Sequence, residues 1–319
     1  MKKTILFAVV LFGIAFSSVN IVFAQNEGTA KKFNGVTFVS FKSKLTYNIG
    51  EDTAAYPAAR TLKPFAINKY ETCYNLWYQT RVKAEKIGYY FENPGQGGTN
   101  GKRAAEPTDE NKYQPVTNIS WYEAIVWCNA LSELKGKTPC YTYNGIVLKD
   151  SSDTAACDLC VCNWDCDGYR LPSESEWEFA ARKTKNGFQD GNLVSGQITY
   201  GDDEEAFLYA WTSDNAGATH NVGTAGVPFE PDTITEPATG NANGAGLYDM
   251  SGNILEYCWD WFDDYTADGL YGASVGYERV SRGGSVSDYT PFYYAGDRYS
   301  YDPNECYNFM GFRLAYTVK

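Results

Sequence analysis

Apolar and polar residues alternate along Thr37-Phe38-Val39-Ser40-Phe41, the pattern of a strand with one buried face. The stretch from Pro64 to Glu71 predicts a second strand, and the residues from about Asn75 to Lys86 predict a helix. Two further helix starts are more plainly written. Ser120 with Glu123, and Ser173 with Glu176, are capping boxes, in which hydroxyl and carboxylate satisfy the free amides of a first turn. Trp121, Ala124, Cys128 and Leu131 then recur on one helical face, and Gly136 stands where that helix can stop. Trp177, Phe179 and Ala180 follow the second box. Asn93 to Thr108 is rich in Gly, Asn and Pro and reads as loop. Beyond Ala181 the pattern gives loops and short strands, and Pro228, Pro231 and Pro237 break any regular element between Thr212 and Gly246. No repeat and no linker divides the chain.

A different apolar pattern occupies the start. Lys2 and Lys3 precede an apolar run from Ile5 to Phe16, and Val22-Phe23-Ala24 places small residues at −3 and −1 of a cleavage site. Residues 1–24 are therefore expected to be a signal peptide, 25–36 a flexible polar segment and 37–319 one domain. Ser17, Ser18 and Asn20 interrupt the run too early for a comfortable membrane span, and no later segment is long and apolar enough. The expected location is exported: periplasm, cell surface or secreted.

Charge sharpens that picture. The chain has 27 Lys and Arg against 39 Asp and Glu, and loss of Lys2 and Lys3 leaves 25 − 39 = −14. Such a surface repels nucleic acid and anionic lipid. Nine cysteines in an exported chain invite disulfides, and the odd number leaves at least one thiol over. The cluster Cys157, Cys160, Cys162 and Cys166 fits no common zinc spacing, so loop-stapling disulfides are expected, with Cys140 a candidate partner. His220 is the single histidine, which removes histidine-rich iron sites and a Ser–His hydrolase.

Four segments in order resemble the formylglycine-generating enzyme (sulfatase-modifying factor) family. They are Pro115 to Trp121, Tyr169 to Arg182, Gly246 to Tyr257, and Arg282-Gly283-Gly284-Ser285 with Gly311-Phe312-Arg313. The resemblance implies an α+β, C-type lectin-like fold with low regular content, two helices and small twisted sheets. It also implies a copper-dependent oxidase that converts a sulfatase cysteine to formylglycine. In active members, cysteines three and eight residues after the matching serine bind copper. Ser285 matches that serine, but the thiolate positions hold Asp288 and Tyr293. Carboxylate and phenol are too hard for Cu(I), so copper is not expected unless Cys258 and Cys306 form a rearranged pair. Two family tryptophans are replaced by Leu255 and Tyr257, and the family's disulfide partner for Cys128 by Leu314.

The resemblance places a calcium ion at Asp249, Gly252, Ile254 and Glu256, whose carboxylates and carbonyls offer the hard oxygens calcium prefers. The terminal segment is dense in tyrosine and small polar residues, a composition suited to adaptable binding surfaces. Asp288, Tyr289, Tyr293, Tyr294, Tyr299 and Tyr301 are the expected ligand-binding residues. The expected function is an exported, non-catalytic scaffold that binds a protein or glycan through this segment. A divergent oxidase and a structural envelope protein are the alternatives.

Overall fold

A computed structural model describes residues 33–50, 58–228, 230, 233–265, 272–273 and 275–319. The expected signal peptide lies outside these residues. The N-terminal half contains β1 (Phe38–Phe41), β2 (Thr46–Ile49), β3 (Ala58–Thr61), β4 (Phe65–Asn68), α1 (Tyr74–Glu85), β5 (Gln96–Gly97) and β6 (Val116–Thr117). The middle contains α2 (Trp121–Leu134), β7 (Tyr141–Tyr143), β8 (Ile146–Val147), α3 (Thr154–Asp158), β9 (Val161–Cys162), α4 (Glu174–Arg182) and α5 (Asp203–Ala206). β10 (Leu255–Trp261), β11 (Arg279–Arg282), β12 (Arg298–Tyr301), β13 (Met310–Gly311) and β14 (Ala315–Thr317) complete the fold. This is the α+β class with low regular content that the sequence implies. Its departures are the short α3 and α5, which no apolar periodicity announces. Among the described residues no helix is long and apolar enough to cross a membrane.

Both capping boxes form. Ser120 and Ser173 each accept from a first-turn amide, while Glu123 and Glu176 reach back to the cap amides. α2 is buried on almost every side, because α1 and β7 pack against it within the larger core. Trp77 of α1 stacks on Trp127 of α2 at 5.6 Å between ring centres, and Phe312 meets both rings edge-on.

The four-stranded sheet, in the order β12-β11-β10-β13, organises the rest. β11 runs antiparallel to β10 and β12, whereas β13 runs parallel to β10. Because neighbours along a strand point to opposite faces, β10 feeds two cores. Leu255 and Tyr257 join the core of α1 and α2, and Cys258 joins a second core with Trp177 and Phe179 of α4. A second sheet, β1-β4-β14, pairs the first described strand and the last with the same central strand.

On the α4 side, every glutamate of the helix meets arginine. Arg170 forms two hydrogen bonds with Glu176, at 2.6 and 2.8 Å. Arg298 does the same with Glu174, at 2.6 and 2.8 Å. Glu178 holds Arg182 at 2.8 Å and also binds Arg282. Such planar paired contacts are the strong class of charge-assisted hydrogen bond. Cys140 and Cys166 form the expected staple across the cysteine-bearing loop, while Cys157, Cys160 and Cys162 remain thiols. Cys128 is a buried thiol in the same core as Leu314.

Candidate functional site

The terminal segment begins where β11 ends, at Gly283 and Gly284, both with positive φ (96° and 66°). Only glycine fits Gly284, since a Cβ there would lie 2.6 Å from both the Phe292 carbonyl oxygen and the Tyr293 Cβ. The turn buries Ser285 and sets Asp288 against it. One carboxylate oxygen of Asp288 accepts from the Ser285 amide and hydroxyl, each at 2.8 Å. Burial raises the Asp288 carboxyl above its ordinary range, and those two hydrogen bonds pull it back. The serine and the acid at the first thiolate position thus close a local turn.

Tyr293, at the second thiolate position, is fully buried, which corrects its assignment to a binding surface. Its ring packs with Val194, Ala206 and Ala210, and its hydroxyl lies 2.6 Å from that of Thr290. The reason is the glycine turn, which drives the chain back under α5. Tyr294 is half-buried against the same cluster and faces Tyr200. Composition selected both residues, but composition carries no orientation.

The other expected residues do reach the surface. Tyr289 is 58% exposed, with Phe292 edge-on at 5.0 Å. Tyr299 donates to the Phe292 carbonyl at 2.6 Å, which ties this loop to β12. Tyr301 packs on Tyr307 at 5.2 Å, and Tyr307 stacks on Phe309 at 5.1 Å. β12 is the end strand of its sheet, so this aromatic row runs along an edge. A cavity of about 460 Å³ opens between Phe292, Tyr299 and Tyr265.

Cys258 and Cys306 do not assemble into the rearranged pair. Cys258 lies in the α4 core, where burial and then Asp260 raise its thiol. Cys306 belongs to the other face of the sheet: it raises the phenol of Tyr257, the strand neighbour of Cys258. Burial pushes the Cys306 thiol up to about 12, against the thiolate a metal requires.

Of the expected calcium ligands, Glu256 is already committed to other partners. Both oxygens of Glu256 are engaged, one by Arg313 and the other by Arg313 and the Trp177 indole at 2.8 Å. Asp249 is buried and accepts from the Gly223 amide at 2.5 Å. Gly252 (φ 74°) instead allows a close approach, since a Cβ there would stand 2.3 Å from the Trp211 carbonyl oxygen. Among the described residues no cluster of three or more acidic, histidine or cysteine side chains is arranged for a metal.

One arrangement escaped the sequence reading. Arg279 of β11 lies among Trp121, Trp259 and Trp261. Alternating aromatic residues at Tyr257, Trp259 and Trp261 were the available signal.

Residues 35–318 match the sulfatase-modifying factor enzyme 1-like domain, and the chain belongs to that family. It is 31% identical over 208 residues to the chaperone protein LppX of Paenibacillus barcinonensis, covering 63% of this chain and 64% of that one. It is 32% identical over 157 residues to the formylglycine-generating enzyme of Streptomyces coelicolor, covering 46% of each. The chain thus spans less than two thirds of the length of these curated relatives. Among solved structures, Treponema denticola variable protein 1 is similar, with a TM-score of 0.69, 28% identity, and coverage of 89% of this chain and 95% of that one.

Proposed function

We propose that this protein is an exported, non-catalytic binding scaffold whose terminal aromatic edge holds a protein or glycan partner. The observation that carries the reading is the fate of the two positions where the family resemblance expects thiolates. Asp288 is occupied by Ser285, and Tyr293 is occupied by the core. Neither position offers a soft ligand to Cu(I), and Cys258 and Cys306 stand on opposite faces of the sheet. What remains outward is Tyr289 and Phe292, with Tyr299 and Tyr301 half-buried along the edge strand, large rings with few rotamers to lose on binding. A relative named as a variable protein and another named as a chaperone are in keeping with ligand binding on this scaffold. Export rests on the basic and apolar leader alone.

The test is to incubate the protein with copper, reductant, oxygen and a Cys-x-Pro-x-Arg peptide and to follow peptide mass. No change beside an active enzyme control is expected. Conversion of the cysteine to an aldehyde overturns the reading and revives the oxidase.

A further inference from the structure

A second cavity, of about 740 Å³, opens on the Trp259 and Trp261 side of the sheet. Its base is Arg279, which is 1% exposed. The guanidinium carbon sits 3.4 Å from the Trp261 ring centre and 3.8 Å from that of Trp121. One nitrogen donates to the Trp259 carbonyl at 2.6 Å, and Nε has no hydrogen-bond partner. Among the described residues Arg279 forms no ion pair, although Arg170, Arg182, Arg282, Arg298 and Arg313 all do. Cation–π contact compensates part of the lost hydration of a buried guanidinium, but it does not satisfy the N–H donors.

The walls define the missing partner. Trp259, Trp261 and Tyr277 line the cavity with flat aromatic surface, and Tyr277 is 94% exposed, so it is available to a ligand. Two exposed carboxylates stand at the mouth. Asp158 already accepts from the Tyr122 hydroxyl at 2.7 Å, and Asp302 from the Asn304 amide at 2.9 Å. Both keep further acceptor capacity. The site therefore offers a buried cation, aromatic faces and acceptor-only groups. A complementary ligand has one acid, an apolar ring face and several hydroxyl donors.

We propose that this cavity binds a short saccharide carrying a single carboxylate, with the acid on Arg279 and hydroxyls on Asp158 and Asp302. Paired Arg–carboxylate contact is the strongest available use of the idle donors. The acidic mouth disfavours polyanions, which carry repeated charge past two carboxylates. The proposal goes beyond the terminal aromatic edge and uses none of the residues named there.

Intrinsic tryptophan fluorescence and calorimetry on the full chain test it with three probes: a disaccharide ending in glucuronic acid, its carboxyl-reduced neutral counterpart, and an acetylated dipeptide with a free carboxylate. The acidic disaccharide should bind at least about tenfold more tightly than the neutral one, a difference of about 1.4 kcal/mol. Arg279→Gln should abolish that preference, and Tyr277→Ala should weaken both sugars by a similar factor. Tyr277 is surface-exposed, so this variant keeps the test alive if Arg279→Gln does not fold. Tyr289→Ala should change nothing here, which separates this site from the aromatic edge. Equal affinity for the two sugars, binding of the dipeptide alone, or no signal up to about 10 mM would each overturn the proposal.

Discussion

Arg282 of β11 and Glu178 of α4 meet inside the protein with neither side chain exposed, and Arg182 binds the same carboxylate at 2.8 Å. One acid thus serves two buried cations from different elements. Removing it takes the shared carboxylate from both, leaving Arg282 with Glu174 at 3.6 Å and Arg182 with the Asn48 and Gly50 carbonyls, and breaking a buried pair typically costs about 3–5 kcal/mol. Glu178→Gln is expected to lose stability on that scale. Glu85→Gln, which weakens a half-exposed pair with Arg81, should lose no more than about 0.5 kcal/mol. Denaturant midpoints for the two variants check the contrast.

The aromatic edge and the core beneath it make opposite demands on neighbouring tyrosines. Tyr293→Ala empties a buried site and should cost about 3–5 kcal/mol. Tyr289→Ala should stay within about 0.5 kcal/mol of the parent while removing an exposed ring from any partner. If Tyr289→Ala melts early instead, the ring is structural and the edge loses its claim as a binding face.

Asp260 gives the protein an alkaline weakness. Its carboxylate accepts from the Glu174 amide at 2.6 Å, but burial and the nearby Glu174 charge raise its pKa from 3.8 to about 8. Between those values the folded chain holds a proton that the unfolded chain has released, so stability falls as pH rises. His220 acts in the opposite sense: burial lowers its pKa to about 4, and its contribution is complete above about pH 6.5. The window from pH 6.5 to 8 therefore isolates Asp260 from His220. Asp260→Asn, which keeps the acceptor, should flatten the decline of Tm across that window. An unchanged slope in the variant rules Asp260 out as its source.

The cysteines permit a direct count. Seven are free and two are bridged, so denatured, unreduced protein should titrate seven thiols, rising to nine after reduction. Cys166→Ser opens the bridge to Cys140 and should cost about 2–4 kcal/mol, the usual range for such a cross-link. A count of five or fewer would mean a further bridge among those seven.

Local signals were the legible part of the sequence. The capping boxes at Ser120 and Ser173 place the starts of α2 and α4 to the residue, because a cap is decided within four positions. The expected helix from Asn75 was displaced by only one residue, to Tyr74–Glu85. The ordered motifs gave the fold, since they mark the places where its glycines and arginines are indispensable. Long-range partners were not legible. Glu256 looks like a calcium ligand beside Asp249 until Arg313, 57 positions later, is seen against it. Tyr293 and Tyr289 read alike in the chain, and only the path of the backbone after Gly284 separates them. The setting of Arg279 is hidden in the chain for the same reason, as its three tryptophans come from α2 and β10.

The ion pairs of Arg282 and Arg313 bracket the terminal segment at its two ends, one anchored on α4 and the other on β10. Between these anchors, Tyr289, Phe292, Asp302 and Asn304 make little contribution to either core. The stretch is therefore an insertable cassette: its outward letters are free to be rewritten while Tyr293 and Ala295 keep it seated. On the proposed reading, folding and recognition fall to separate residues of one short span, so novelty on this surface would carry little risk to the frame beneath it.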